Sequence, residues 1–131
     1  MPKKQPIFTE LAPRPGGGYS QAIAVGGLVF TAGMGPVDPA TGVVVGHDVA
    51  TQTHQVMRNL AAVLAEAGVE LADVVKTTVH LQNLKHDFQA FDEAYRAHVT
   101  VPYPVRTTVG SDLAEILVEI DVVAARPTGG T

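Results

Sequence analysis

The sequence predicts an α+β domain in which two helices pack on one face of a mixed β-sheet. Two long stretches carry apolar residues at spacings of three and four, which is typical of helices with one buried face. Several shorter runs are rich in valine, isoleucine and threonine, which favours strands. The predicted order is two strands, a short third strand, a helix, a strand, a helix and two final strands.

The first strands form a predicted hairpin. Residues 19–25 alternate loosely between polar and apolar and stop at Gly26-Gly27, and residues 28–31 are apolar. A Gly-Gly pair between two such runs is typical of a hairpin turn. The stretch that follows is rich in proline and glycine, and it predicts turns with one short strand at residues 43–45.

The first helix is predicted to begin after Asp48, whose side chain can accept hydrogen bonds from the first turn. Gly68 is expected to end it, because glycine adopts the left-handed conformation that terminates many helices. Between these two signals, apolar positions define one face over about five turns. That face consists of Val49, Thr53, Val56, Leu60, Val63, Leu64 and Ala67.

A strand over residues 74–82 and a second helix are predicted next, with Asp87 near the start of the helix. Strand alternation groups four residues on one face of the strand: Val75, Thr77, Val79 and Leu81. The helix is predicted from an apolar stripe that consists of Phe88, Phe91, Tyr95 and Val99.

Residues 105–110 and 116–125 predict the last two strands, after an extended entry that Pro102 and Pro104 impose. The joint at residues 110–114 is short enough for a hairpin. The last strand is apolar on both faces, whereas the predicted helices cover only one face of the sheet. The second face is therefore expected to pack against another subunit.

Composition narrows the class of protein. The 131 residues suffice for one domain, so we predict a single domain over residues 1–131 with loosely ordered ends at residues 1–18 and 127–131. A hydrophobic content of 46% excludes disorder over most of the length. No apolar run is long enough to span a membrane, and no secretory signal is recognised, so no membrane association is expected.

The charge and the cysteine content narrow the class of protein further. The formal net charge is −4 and the nine lysines and arginines are scattered, which argues against a nucleic-acid partner. Cysteine is absent, which removes thiolate chemistry and agrees with a reducing compartment, so the expected location is cytoplasmic. None of the five histidines pairs at a helical metal-ligand spacing, so no metal ion is expected.

Two carboxylates, Glu119 and Asp121, interrupt the apolar last strand. A buried carboxylate is costly unless it is paired, so a cation is expected nearby. With a hairpin that turns between residues 112 and 113, Arg106 lies directly opposite Glu119. The pair is then either an ion pair that stabilises the sheet or an anion-binding arginine beside an acid–base carboxylate.

Two further residues have both a structural and a functional interpretation. Tyr19 follows three glycines, so it either ends a flexible terminus or carries its hydroxyl over a pocket. Gly33 at a strand end is either a turn residue or a position where a ligand approaches the main chain closely.

Five stretches taken together resemble the Rid family, also called RidA or YjgF-like. They occur in the order of that family and close to its spacing, from about residue 19 to residue 125. The stretches are GYSQAI at 18–23, FTAG at 30–33, VVKTTV at 74–79, PVRTTV at 104–109 and VEIDVVA at 118–124.

The resemblance implies a chorismate-mutase-like α+β fold and a homotrimer with a ligand site between subunits. It implies hydrolysis of enamine and imine intermediates, such as 2-aminoacrylate and 2-iminobutanoate, to 2-oxo acids and ammonia without a cofactor. The small-molecule partner is then a 2-imino or 2-oxo acid. A non-catalytic trimer that binds small carboxylates is the alternative. RNA cleavage, attributed to some relatives, disagrees with the negative charge.

The resemblance also implies roles for five residues. Arg106 matches the arginine that binds the substrate carboxylate, and Glu119 matches the glutamate that orients water. Tyr19 matches a tyrosine that closes over the ligand, and Gly33 matches a glycine whose main chain lines the pocket. Thr108 occupies a position where many members have cysteine and where the main chain faces the ligand.

The sequence departs from the family pattern at several positions. Ala32 replaces a serine that is common in active deaminases, and Met34 replaces a frequent glutamine. Asp92 stands where many members have asparagine. The loop at residues 110–114 is shorter than in the best-known deaminases. The sequence therefore leaves the substrate, the rate and the subfamily open.

Overall fold

A computed structural model describes residues 3–127. Two helices pack on one face of a six-stranded mixed sheet with the strand order β1-β2-β3-β6-β4-β5. The elements are β1 (Gln5–Ile7), β2 (Ala22–Val25), β3 (Leu28–Thr31), α1 (Val49–Glu66), a 3-10 helix (Leu71–Asp73), β4 (Val74–Leu81), α2 (Leu84–Arg96), β5 (Val105–Gly110) and β6 (Val118–Ala125). The α+β class predicted from the sequence is confirmed. No described helix has the length and apolarity to cross a membrane.

The hairpin and both helices form where the sequence predicts them. β2 and β3 pair antiparallel across Gly26 and Gly27, whose φ angles of 56° and 81° lie in the left-handed region. Asp48 Oδ1 accepts a hydrogen bond of 2.8 Å from the main-chain nitrogen of Thr51 and so caps α1. Gly68, with φ of 81°, follows the last turn of that helix.

The N-terminal segment is more ordered than predicted. β1 pairs antiparallel with β2, and Ile7 and Ala12 are buried in the core. The prediction of a loosely ordered end is therefore wrong for this segment. The predicted loose tail at residues 127–131 lies outside the described residues except for Pro127.

Three local predictions need correction. A register shift between Val74 and Lys76 turns Val75 outward, so that Val75 is exposed and Val74 is buried instead. Residues 43–45 form no strand, and Val44 makes a single bridge to the chain at Val37. The helical stripe ends early, because α2 stops at Arg96 before it reaches Val99.

The predicted hairpin between the last two strands is wrong. β4 lies between β5 and β6, parallel to the former and antiparallel to the latter. The partner of Arg106 is therefore Thr77, and the partner of Glu119 is His80. β6 lies inside the sheet, between β3 and β4, where Val118, Ile120, Val122 and Ala124 are buried. The connection at residues 111–117 therefore crosses the end of β4 instead of turning back.

The two faces of the sheet have different surroundings. The face that meets the helices buries alternate residues of β6, namely Val118, Ile120, Val122 and Ala124. The opposite face leaves a row of large apolar side chains partly exposed within one chain. That row, the open apolar face, consists of Leu28, Phe30, Val105 and Val109. Leu28 and Phe30 lie on β3 and Val105 and Val109 on β5, and polar side chains of β4 and β6 lie between the two pairs on this face. Large exposed apolar side chains of this kind are typical of an interface.

Candidate functional site

The carboxylate of Glu119 lines a cavity of about 410 Å³ between the N-terminal loop and the loop after β3. β6 carries Glu119, and paired main-chain hydrogen bonds between Met34 and Ile120 hold the loop after β3 against that strand. A Cβ atom at Gly33 would lie 2.5 Å from Glu119 Oε2. Only glycine therefore leaves room for the carboxylate to lie against the main chain at this position.

Two buried amide side chains fasten the walls of this cavity. Gln21 accepts a hydrogen bond from the main chain of residues 9–13 and donates others back to it, at 2.7–3.3 Å. Asn59 of α1 donates to the main-chain oxygens of Gly35 and Val37 at 3.1 and 2.8 Å. Neither residue was singled out from the sequence. The signal available there is an asparagine next to the predicted apolar face of α1, because a polar side chain at such a position needs hydrogen-bond partners if it is buried.

Tyr19 stands at the mouth of the same cavity and is about half exposed. Its hydroxyl accepts a hydrogen bond of 3.0 Å from the main-chain nitrogen of Gly16. Its own main-chain nitrogen donates to the oxygen of Gly17 at 2.9 Å, so the glycine run forms a tight turn around the ring. The structure thus brings Tyr19, Gly33 and Glu119 together at one cavity.

Arg106 lies in a second cluster, between β5 and α2. Its Nη1 donates to Asp92 Oδ1 at 2.7 Å, and its side chain is only 21% exposed. The guanidinium carbon lies 5.0–5.6 Å from the ring centres of three aromatic residues, which favours the cation electrostatically. The rings are those of Phe88, Phe91 and Tyr95. An adjoining cavity of about 290 Å³ includes Tyr103 and Pro104 in its lining.

Tyr95 anchors the aromatic part of this cluster. Its hydroxyl donates to Thr77 Oγ1 at 2.9 Å, and burial raises the pKa of the phenol. The hydrogen bond to Thr77 fixes the ring beneath the guanidinium of Arg106, and so supports the cation–π contact. Sequence reasoning placed Tyr95 on the buried face of α2 but did not connect it with Arg106.

The two clusters lie on opposite faces of the sheet within one chain. Cross-strand partners point to the same face, and the partner of Arg106, Thr77, is buried beneath α2. The partner of Glu119, His80, belongs to the other face. The predicted direct contact between Arg106 and Glu119 is therefore wrong. Thr108 pairs with Val79 on the face of Arg106 and lines neither cavity.

The second carboxylate of β6 has cationic neighbours of its own. Burial raises the pKa of Asp121, and the charges of His80 and Lys76 oppose this shift. His80 Nδ1 also shares a hydrogen bond of 2.6 Å with Ser111 Oγ. The cationic groups that act on Asp121 thus belong to β4 and do not include Arg106, and the effect of burial outweighs them.

The histidines form one close pair on the helical side. His54 Nδ1 and His98 Nε2 share a hydrogen bond of 2.7 Å. Within residues 3–127, no three His, Cys, Asp or Glu side chains come close enough to hold a metal ion.

These features define an α+β protein with two polar clusters, one anionic and one cationic, on opposite faces of the sheet. A family model described as "Endoribonuclease L-PSP" matches residues 9–126. A RutC family protein of Pyrococcus abyssi is 44% identical over 123 residues, which cover 92% of this chain and 96% of the relative. "Reactive Intermediate Deaminase A, chloroplastic" of Arabidopsis thaliana is 41% identical over 106 residues, which cover 81% of this chain and 56% of the relative.

A solved structure described as E. coli TdcF with bound serine superposes with a TM-score of 0.87. It is 34% identical, and the match covers 95% of this chain and 100% of that chain. The chain belongs to the RidA/YjgF family, and its fold is the YjgF-like fold that the resemblance implied.

Proposed function

We propose that the chain catalyses hydrolytic deamination of reactive 2-enamine and 2-imino acids, such as 2-aminoacrylate and 2-iminobutanoate. The products are 2-oxo acids and ammonia. Family membership supports this proposal, and one relative is named a reactive intermediate deaminase. Five residues carry the proposed site: Tyr19, Gly33, Arg106, Thr108 and Glu119.

The observation that carries the proposal is that the two clusters supply complementary groups. The reaction needs a cation that binds the substrate carboxylate and a carboxylate that transfers protons to and from water. Arg106 and Glu119 are such groups, and both are partly buried. Because they lie on opposite faces of one sheet, we propose that Arg106 of one subunit meets the Glu119 cavity of another in a homotrimer. The open apolar face supports such an assembly.

The proposed reaction uses only groups of this chain and water. The guanidinium of Arg106 binds the substrate carboxylate through charge-assisted hydrogen bonds and so fixes the electrophilic C2 atom. A 2-enamine first becomes the 2-imine when a proton moves from nitrogen to C3. Glu119 then takes a proton from water as the new C–O bond forms and passes it to nitrogen, which gives a carbinolamine. It next takes the hydroxyl proton of this intermediate as the C=O bond forms and passes it to nitrogen as the C–N bond breaks and ammonia leaves. Proton transfer of this kind typically contributes about 10²–10⁴-fold in rate.

The remaining site residues shape the pocket in this proposal. Tyr19 closes over the bound acid from the cavity mouth. The main chain at Gly33 lines the Glu119 cavity and faces the ligand. Thr108 lies on the face of Arg106, and its main chain is proposed to face the ligand where a second subunit completes the site.

A carboxylate-binding trimer without turnover is the second candidate. One specific observation favours it, since the E. coli structure with a TM-score of 0.87 is described with bound serine, which is a small carboxylate. Met34, which lines the Glu119 cavity, also stands where the family pattern often has glutamine. The net charge of −4 and the scattered cations argue against the ribonuclease activity that the family description names.

A coupled assay tests the first candidate against the second. A pyridoxal-phosphate dehydratase generates the imine from serine or threonine, and release of the 2-oxo acid is followed with and without this protein. We expect acceleration by the wild-type chain and loss of most acceleration in Glu119→Gln, which keeps the size of the side chain but removes its proton transfer. Glu66→Gln, an exposed change of the same kind, serves as the control.

Calorimetry with 2-oxobutanoate completes the comparison. Glu119→Gln is expected to retain binding while it loses turnover. A wild-type chain that binds the 2-oxo acid but accelerates no imine would instead establish the binding trimer.

A further inference from the structure

We propose that Asp92 is an internal competitor for Arg106 that weakens the binding of carboxylates and thereby sets the affinity of the site. This inference rests on the proposed role of Arg106 as the carboxylate anchor. It makes Asp92 a residue that sets affinity for the carboxylate, although the reaction itself does not pass through it.

The contact between the two residues is direct and shielded from water. Nη1 of Arg106 lies 2.7 Å from Asp92 Oδ1, and the two side chains are 21% and 28% exposed. A charged hydrogen bond of this length in a partly buried setting is much stronger than an exposed ion pair. The carboxylate of Asp92 therefore already occupies one of the donors that a substrate would use.

The aromatic rings restrict how Arg106 can respond to a ligand. Rings of Phe88, Phe91 and Tyr95 surround the guanidinium carbon at 5.0–5.6 Å. The guanidinium is thus held in place and is not free to swing away from Asp92. A second carboxylate must bind through the remaining donors, which places two negative charges on one guanidinium group.

Arg96 offsets only part of this repulsion. Its Nε lies 3.4 Å from Asp92 Oδ2, and its side chain is 55% exposed, so its charge is screened by solvent. Arg106 and Arg96 are positive and Asp92 is negative, so the cluster attracts an anionic ligand only weakly. Neutralising Asp92 removes a repulsion across about 6 Å, which corresponds to about a tenfold change in affinity at an effective dielectric constant of about 40, between that of a protein surface and that of water.

If Asp92 positions Arg106, removing it should lower the affinity for carboxylates, whereas if Asp92 competes with the ligand, removing it should raise that affinity. If Asp92 served only to orient Arg106, its removal would release the guanidinium and weaken carboxylate binding. If Asp92 competes with the ligand, its removal strengthens binding, because the aromatic rings still hold the guanidinium in place.

Calorimetric titration with 2-oxobutanoate separates these roles. We expect Asp92→Asn to bind about tenfold more tightly than the wild-type chain, and we expect this difference to shrink at high salt. Asp92→Ala, which removes the same charge, is expected to shift affinity in the same direction. Glu93→Gln is the matched control, because Glu93 is the exposed neighbour on the same helix and loses the same charge.

An Asp92→Asn chain that binds as the wild type does, or more weakly, overturns the inference. The titration does not depend on turnover, so a chain that deaminates no imine can still show the tighter binding of Asp92→Asn. A wild-type chain too weak to titrate supports the inference if Asp92→Asn binds measurably, and contradicts it otherwise. Unchanged binding in Arg106→Ala would refute Arg106 as the anchor and the inference with it.

Discussion

The carboxylate of Glu119 lies against the main chain of Gly33, and no methyl group fits between them. This close approach limits where the carboxylate can stand in its cavity. A glycine at this strand end predicts a turn or the close approach of a ligand, whereas the structure shows the close approach of Glu119 itself.

Gly33→Ala is expected to displace Glu119 and to lower imine turnover by about 10²-fold, because small misplacements of a reacting group have effects of that size. Folding should persist, since the atom that must move belongs to the end of a flexible side chain. The coupled assay and a thermal melt measure the two quantities. Gly18→Ala is the control, because a Cβ atom there meets nothing within 4 Å. Full activity in Gly33→Ala would remove the contact from the proposed mechanism.

Among the elements, local signals predicted the helices well and strand neighbours poorly. Asp48 and Gly68 bound α1 as expected, since capping depends on a few adjacent residues. The order of β4, β5 and β6 depends on which strand buries most apolar surface at the sheet centre, and a short joint does not reveal this. The strand β1 was missed because its pairing with β2 depends on contacts about 15 to 20 residues away along the chain.

The residues of the candidate site could be predicted from local motifs, whereas their arrangement in space could not. The motifs identified Arg106, Glu119, Tyr19 and Gly33, and the structure places each of them at a polar cavity. Their distribution over two faces of the sheet was not predictable, because β4 lies between β5 and β6 and this strand order decides which side chains meet. The contact between Arg106 and Asp92 was not predictable either, because it joins a strand to a helix.

The histidine pair links α1 to the segment that follows α2, and it predicts a dependence of stability on pH. Burial, the nearby His54 and Arg58 lower the pKa of His98 from its ordinary value of 6.5. The unfolded chain then binds protons more readily than the folded chain. The stabilisation is therefore present above pH 6.5 and is lost as the pH falls through the lowered value.

Urea unfolding at pH 7.5 and at pH 5 measures this effect. The free energy of unfolding of the wild-type chain is expected to be lower at pH 5 than at pH 7.5. His98→Gln should make this decrease smaller, because it removes the titrating group. His47→Gln, at an exposed position outside the pair, should leave the fall unchanged. An equal fall in wild type and His98→Gln would assign the dependence to other groups.

At the scale of the whole molecule, the open apolar face leads to a prediction about assembly. Light scattering is expected to give a mass of three times 13.7 kDa. Phe30→Glu, which places a charge on that face, should give smaller species and should lose imine turnover although Arg106 and Glu119 are unchanged. Val43→Glu introduces the same charge at an exposed loop and should remain trimeric and active. A wild-type chain that is a stable monomer at micromolar concentration would refute the proposed shared site.

Mixing two inactive variants tests the sharing directly. Arg106→Ala and Glu119→Gln subunits, unfolded together and refolded, are expected to regain activity. In random trimers about one quarter of the sites combine an intact Arg106 with an intact Glu119 from different subunits. If each site belonged to one chain, no mixture would recover activity, and refolding either variant alone provides the baseline.

The placement of Arg106 and Glu119 on opposite faces has a genetic consequence under the proposed assembly. Two alleles that each abolish function would complement one another when expressed in the same cell, provided that one damages the arginine side and the other the glutamate side. Alleles that damage the same side would never complement. Inheritance patterns would thereby sort mutations by the face of the sheet on which they fall, without any structure of the variants.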